Sequence, residues 1–154
     1  MAAQTWLEHV PIPEVNIHSV PAELGPEQGA TEYAQIIDRA LPFDLVLLGL
    51  GEDGHTASLF PGASHPPGQS VHAIFNAPKP PPERISFSAK ALSDAAQVIV
   101  LVSGKGKRDA VRKWRSGAPL PITLIRPIGG VDVLLDRAAA DSPDVSQKPP
   151  ITTN

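Results

Sequence analysis

Between Gly49 and Gly62 the chain reads Gly-Leu-Gly-Glu-Asp-Gly-His-Thr-Ala-Ser-Leu-Phe-Pro-Gly. Asp53 and His55 stand two residues apart in a turn rich in glycine. A histidine so placed can do general acid–base work near neutral pH. An adjacent carboxylate can orient its ring. Gly51 and Gly54 permit positive φ and close backbone approach. Backbone N–H groups in such a turn can meet an anion or a developing oxyanion. The alternative is a histidine that merely caps or fills the turn, and on the residues alone both readings stand.

Cations come later in the chain. Lys105, Lys107 and Arg108 follow Ser103-Gly104. A lysine at the start of a helix adds its charge to the helix dipole, which suits phosphate. A solvated basic helix face is the plainer reading of such a run. Arg84 is a further anion-binding candidate, with a surface strand charge as its alternative. His9, His18, His65 and His72 have no metal-ligand spacing with acids. His18 reads as structural, His65 and His72 as loop or edge residues. No serine lies in a Gly-x-Ser-x-Gly elbow, which argues against serine hydrolase chemistry. Gly49, Gly51 and Gly54 formally fit the dinucleotide fingerprint G-x-G-x-x-G. That reading needs an acid at the end of the next strand, and around residues 74–77 the polar candidate is Asn76.

These residues must be positioned by the elements around them. Phe43-Asp-Leu-Val-Leu-Leu-Gly49 is a short apolar run bounded by proline and glycine. It predicts a strand buried on both faces, as in a parallel sheet. Gln97 to Val102 predicts a second, and the two are expected at the centre of the sheet. Before them, Pro26 and Glu27 open a helix whose apolar positions end at Leu41. Strands are also predicted over 71–76, 84–88 and 131–135. Helical pieces are predicted over 55–60, 107–114 and 136–140, and one or two turns at the N-terminus. The order strand, crossover, strand argues for an α/β fold with a largely parallel sheet. Such sheets bind ligands at the carboxyl ends of their strands, where both glycine turns would lie.

Bulk composition sets the bounds. The 154 residues are 42% hydrophobic and 19% charged, enough for one domain with a core. Net charge is −3, so nothing draws the chain to nucleic acid or an anionic membrane, and a phosphorylated ligand needs a local cationic site. With no cysteine, disulfides and thiolate metal sites are excluded, and a cytoplasmic location fits. The apolar run Leu45 to Leu50 is too short to span a bilayer. Eighteen prolines, about twice the usual share, and only 5% aromatics suit short aliphatic strands joined by stiff loops. Beyond Asp141 the chain is polar and proline-rich, so residues 141–154 read as a disordered tail to a domain of 1–140.

The segment Asp44 to Gly62 resembles, nearly residue for residue, the signature of 6-phosphogluconolactonases. Val10-Pro-Ile-Pro13, Asn16-Ile-His18, Glu23-Leu-Gly-Pro26, Arg84-Ile-Ser-Phe-Ser88, Val102-Ser-Gly-Lys-Gly-Lys107 and the stretch from Pro121 to Arg137 are similar to further parts of that family. The resemblance implies a Rossmann-like α/β fold, a mostly parallel sheet with flanking helices. It implies hydrolysis of a sugar-phosphate lactone in the pentose phosphate pathway, with no metal or organic cofactor. By that analogy His55 activates water and Asp53 supports it or binds a sugar hydroxyl. The turn at Gly51 and Gly54 steadies the ring or the oxyanion, and Lys107 contacts phosphate. Deaminases of the same fold carry a glutamate where this chain has Phe60, which cannot move a proton. The resemblance begins after the family's N-terminal strands and their phosphate loop. It therefore implies a chain lacking them, with self-association through an exposed sheet edge, and a catalytically impaired or partner-dependent half as the alternative function.

Overall fold

A one-turn helix, α1 (Ala2–Thr5), opens the chain, followed by 3-10 turns at Leu7–His9, Glu14–Asn16 and Ala22–Leu24. The structure is a computed structural model and describes residues 2–66 and 68–140. The expected disordered tail lies outside the described residues. Helix α2 (Pro26–Ala40) begins where the sequence places it. Proline at the first position has helical φ and no amide to leave unpaired, and Glu27 meets the positive end of the helix dipole. Ala30, Tyr33 and Ile37 form its buried stripe. The Tyr33 hydroxyl donates to the His18 carbonyl at 3.0 Å.

Five strands follow among the described residues: β1 (Phe43–Gly49), β2 (Val71–Ile74), β3 (Arg84–Phe87), β4 (Ala95–Val102) and β5 (Val131–Leu135). β1, β4 and β5 make a parallel sheet in the order β1-β4-β5. Gly49 is opposite Leu101, so the two glycine turns leave the same edge of the sheet. β2 and β3 form a separate antiparallel pair beneath α2. Between β3 and β4 lies α3 (Ala89–Ser93), which the sequence reading missed. Its signal is the cap: the Ala91 N–H donates to Ser88 Oγ at 3.1 Å. A 3-10 turn (Lys105–Lys107) then leads into α4 (Arg108–Arg115).

Val46 and Leu48 of β1 and Val98, Val100 and Val102 of β4 share a core with Leu92, Ala110, Val111, Ile122 and Ile125. Phe87 packs edge-on against both Phe43 and Tyr33, with centroids 5.9 and 5.8 Å apart, and so joins this core to the one under α2.

Several expectations are corrected. Among the described residues β1 is an edge strand, and β4 alone is central. Nor are β1 and β4 buried on both faces: Leu45 and Leu47 of β1, Leu101 of β4 and the neighbouring Leu134 of β5 remain about half exposed on the face opposite the core. Side chains alternate along a strand, and a continuous apolar run does not say which face is covered. Residues 55–60 form a tight turn with a Thr56–Leu59 bridge and Ala57 at φ 49°, not a helix. The expected helix at 136–140 is also a turn. There the Ala139 N–H donates to Asp136 Oδ1 at 2.7 Å, the side-chain competition that Asp offers to regular structure. The strand expected over 71–76 ends at Ile74, before Asn76 at φ 55°. Among the described residues no helix is long and apolar enough to cross a membrane.

Candidate active site at the carboxyl ends of the parallel strands

β1 delivers the chain to the sheet edge at Gly49, and the next residues are pinned on both sides. Thr56 Oγ1 donates to the Gly49 carbonyl at 2.9 Å, and the Ser58 N–H donates to Ser86 Oγ of β3 at 3.1 Å. Leu59, directly after these anchors, is fully buried. Inside the turn the Gly51 N–H donates to the His55 carbonyl at 2.7 Å, and the Gly54 N–H to the Gly51 carbonyl at 3.0 Å. The two glycine amides expected to face an anion are therefore engaged within the loop. The glycines act through space instead. A Cβ on Gly51 would fall inside the His55 imidazole and against Asp53 Oδ1. Gly54 sits at φ 85°, and a Cβ there would run into Leu120.

Asp53 and His55 are brought together. His55 Nδ1 donates to Asp53 Oδ1 at 2.5 Å, and the His55 N–H reaches the same oxygen at 3.3 Å. An ionised carboxylate only accepts, so Nδ1 carries a proton, and in the neutral imidazole Nε2 then keeps the lone pair. Burial works against the Asp53 charge, but the hydrogen bonds and charge of His55 outweigh it and hold this carboxyl below its ordinary range. The His55 and Asp53 side chains are 19% and 34% exposed, sheltered yet reachable.

A second layer stands behind the histidine. The buried Phe60 ring lies against the imidazole, centroids 4.9 Å apart. Arg84 in turn covers Phe60, its Cζ 5.4 Å from the ring centroid. The Arg84 guanidinium donates to the carbonyls of Pro81 (2.9 Å), Lys79 (2.8 Å) and Pro80 (2.8 Å). It is thus fastened to the proline loop that carries Lys79, whose Nζ lies 3.8 Å from Asp53 Oδ1. Sequence reasoning missed Lys79. Its signal is the setting Pro78-Lys-Pro-Pro-Pro82, which displays a lysine on a stiff loop.

Lys107 closes the 3-10 turn and stands at the start of α4. Its loop touches the histidine turn through Gly106, where a Cβ would meet Glu52 Oε1. That loop is organised by Asp136, also missed: Ser103 Oγ and the Gly104 N–H donate to its Oδ2 at 2.7 and 2.9 Å. The Ser103 bond, followed by the backbone bond from Ala139, lowers the Asp136 pKa against a small burial effect.

His72, expected in a loop or at an edge, is only 2% exposed in β2, and neither ring nitrogen has a partner. Burial, then the charge of His65 (rings 5.6 Å apart), lowers its pKa. It lines a groove of about 490 Å³ between α2 and β2, apart from His55. Glu27 and Asp38 on its wall make it unsuited to a phosphate.

Comparison with known proteins finds named 6-phosphogluconolactonases. Human 6-phosphogluconolactonase is 37% identical over 148 residues, covering 87% of this chain and 57% of the human one. The Synechocystis 6-phosphogluconolactonase is 38% identical, covering 92% of this chain and 64% of its own length. The chain thus spans somewhat over half the length of these relatives. The crystal structure of 6-phosphogluconolactonase from Thermotoga maritima superposes with a TM-score of 0.79 at 26% identity, over 86% of this chain and 62% of that one. The family model described as glucosamine-6-phosphate isomerases/6-phosphogluconolactonase matches residues 1–134, and the chain belongs to that family.

Proposed function

We propose that the chain hydrolyses 6-phospho-D-glucono-1,5-lactone to 6-phosphogluconate, a step of the pentose phosphate pathway in the cytosol. The observation that carries this reading is the Asp53–His55 pair, held at 2.5 Å on the carboxyl edge of β1, which in the neutral imidazole leaves Nε2 to accept a proton. In this reading Nε2 takes a proton from water as the water oxygen bonds to C1, and the carbonyl pair moves onto its oxygen. The tetrahedral adduct then collapses. Its C1 to ring-oxygen bond breaks, and the ring oxygen recovers the proton from Nε2. The new carboxylic acid ionises to solvent, so the histidine ends as it began. Asp53 keeps the Nδ1 proton in place and stabilises the imidazolium between the two steps.

Lys107 suits the substrate phosphate, because its charge adds to the N-terminus of α4. Local cations are needed in a chain of net charge −3. Arg84, committed to the carbonyls of residues 79–81, contributes through position and local potential. Gly51 and Gly54 shape the turn around the imidazole. A deaminase reading is disfavoured by Phe60, which presents only a phenyl ring to His55. The half-exposed leucines beside the β1 edge support self-association along that edge.

The test is hydrolysis of freshly made lactone measured against its spontaneous rate. The expected result is a protein-dependent rate that His55→Ala returns to background. An equal rate in that variant would sink the reading.

A further inference from the structure

Contacts around His55 close into a circuit. Asp53 holds the imidazole, the imidazole lies on Phe60, Phe60 lies under Arg84, and Arg84 grips the loop 79–81. That loop returns Lys79 to Asp53 Oδ1. A distance of 3.8 Å is too long for an N–H···O hydrogen bond, and the oxygen already accepts from His55. Lys79 is held near the pair without being consumed by it, with its side chain 42% exposed.

Hydrolysis at a carbonyl needs more than a base, because the attacked oxygen becomes an anion that a preorganised donor must meet. The Gly51 and Gly54 amides, the obvious candidates, donate within their own turn. We infer that Lys79 is the substrate-contacting cation that meets the negative charge developing on the carbonyl oxygen, and that Arg84 is the positioning residue that fixes the loop carrying it. The flanking prolines limit the freedom that Lys79 would otherwise lose on binding. Arg84 suits its part because a guanidinium has five donors in a rigid fork, enough to tie three carbonyls at once. This assignment deepens the hydrolytic reading and rests on it.

The experiment uses the full chain and two open-chain ligands, so that it reads Lys79 even without turnover. 6-Phosphogluconate bears a carboxylate where the lactone carbonyl stood, and glucitol 6-phosphate bears a hydroxyl there. Calorimetry of the unmodified chain should show a preference for the carboxylate ligand of about tenfold, the low end for a charge-assisted contact at a partly exposed site. Lys79→Gln should erase that preference while leaving the affinity for glucitol 6-phosphate unchanged. In turnover the same variant should lose about 10²-fold in kcat, as for loss of one oxyanion donor. Equal affinity of the unmodified chain for the two ligands, or a preference that survives in Lys79→Gln, overturns the assignment. So does an equal weakening of both ligands, which would make Lys79 a phosphate contact. A lactone rate at background with the carboxylate preference intact would overturn the hydrolytic reading instead.

Discussion

Asp53 uses one oxygen to accept both the ring and the backbone N–H of His55, which fixes the orientation and the tautomer of the imidazole together. Asp53→Asn keeps the shape but no longer enforces the proton on Nδ1. If the pair works as proposed, kcat should fall by about 10²–10⁴-fold, the loss expected when a triad-type carboxylate becomes an amide. Stability gives an independent check. The folded Asp53 pKa lies below its ordinary value of 3.8, so this carboxylate stabilises the fold above that pH. The contribution disappears as pH falls through the depressed folded value. Denaturation of the chain and of Asp53→Asn should therefore differ most near pH 7 and converge in strong acid; a constant gap would contradict the linkage. Gly51→Ala tests the space beside the ring. With a Cβ in the place of the imidazole, His55 must move, and a displacement of about 1 Å can cost about 10²-fold in rate. Retained secondary structure by circular dichroism with full activity would refute that role. These three residues were legible in the sequence because they share one turn and their chemistry is local. Lys79 was not, because it is distant in the chain and only the folding of the proline loop brings it to Asp53.

At the scale of elements, the site depends on two fastenings. Thr56 is 1% exposed and bonds to the last carbonyl of β1, so Thr56→Val keeps the volume and removes the tie, leaving the carbonyl of the exposed Gly49 to solvent. A loss of about 0.5–1.5 kcal/mol in unfolding free energy, the net worth of an ordinary hydrogen bond, is expected from urea denaturation, and an unchanged midpoint would show that the tie is dispensable. Arg84→Met removes three bonds to loop carbonyls while keeping an apolar stem over Phe60. Amide exchange in the proline loop and its flanks should quicken, leaving α2 as protected as before; an unaltered pattern would mean that the prolines alone hold the loop. Strand positions were readable because proline and glycine bracket short aliphatic runs. Their coverage was not. β1 and β4 are similarly apolar in sequence, yet among the described residues β4 is paired on both sides and β1 on one. Nothing in an apolar run records how many neighbours it has. The turn at 55–60 was misread as helical for a related reason: Ala57 at positive φ and the bridge between Thr56 and Leu59 are set by anchors in β1 and β3, not by local propensity.

Taken whole, the molecule has two unequal faces. The core side of the parallel sheet is filled by residues of α3, α4 and the turn at Pro121–Leu124. The other side presents Leu45, Leu47, Leu101 and Leu134, exposed by 47%, 60%, 49% and 58%, beside an edge strand that pairs only with β4 among the described residues. A contiguous apolar face next to open backbone donors and acceptors is the combination that promotes edge-to-edge pairing. Sedimentation velocity over a wide concentration range should therefore show concentration-dependent association. Leu47→Lys places a charge on that face without touching the core cluster, since Leu47 lies opposite the buried Val46 and Leu48. The association should weaken, because a charge on an edge strand opposes pairing with another chain. The unfolding free energy should stay within about 0.5 kcal/mol, as for an ordinary surface substitution. Hydrolysis should also be unaffected, because Leu47 stands on β1 before the turn that carries Asp53 and His55. A chain that remains monomeric at every concentration would mean that the leucine face is tolerated in solution and that β1 has no taste for a copy of itself. Association that persists in Leu47→Lys would move the contact to another surface of the molecule.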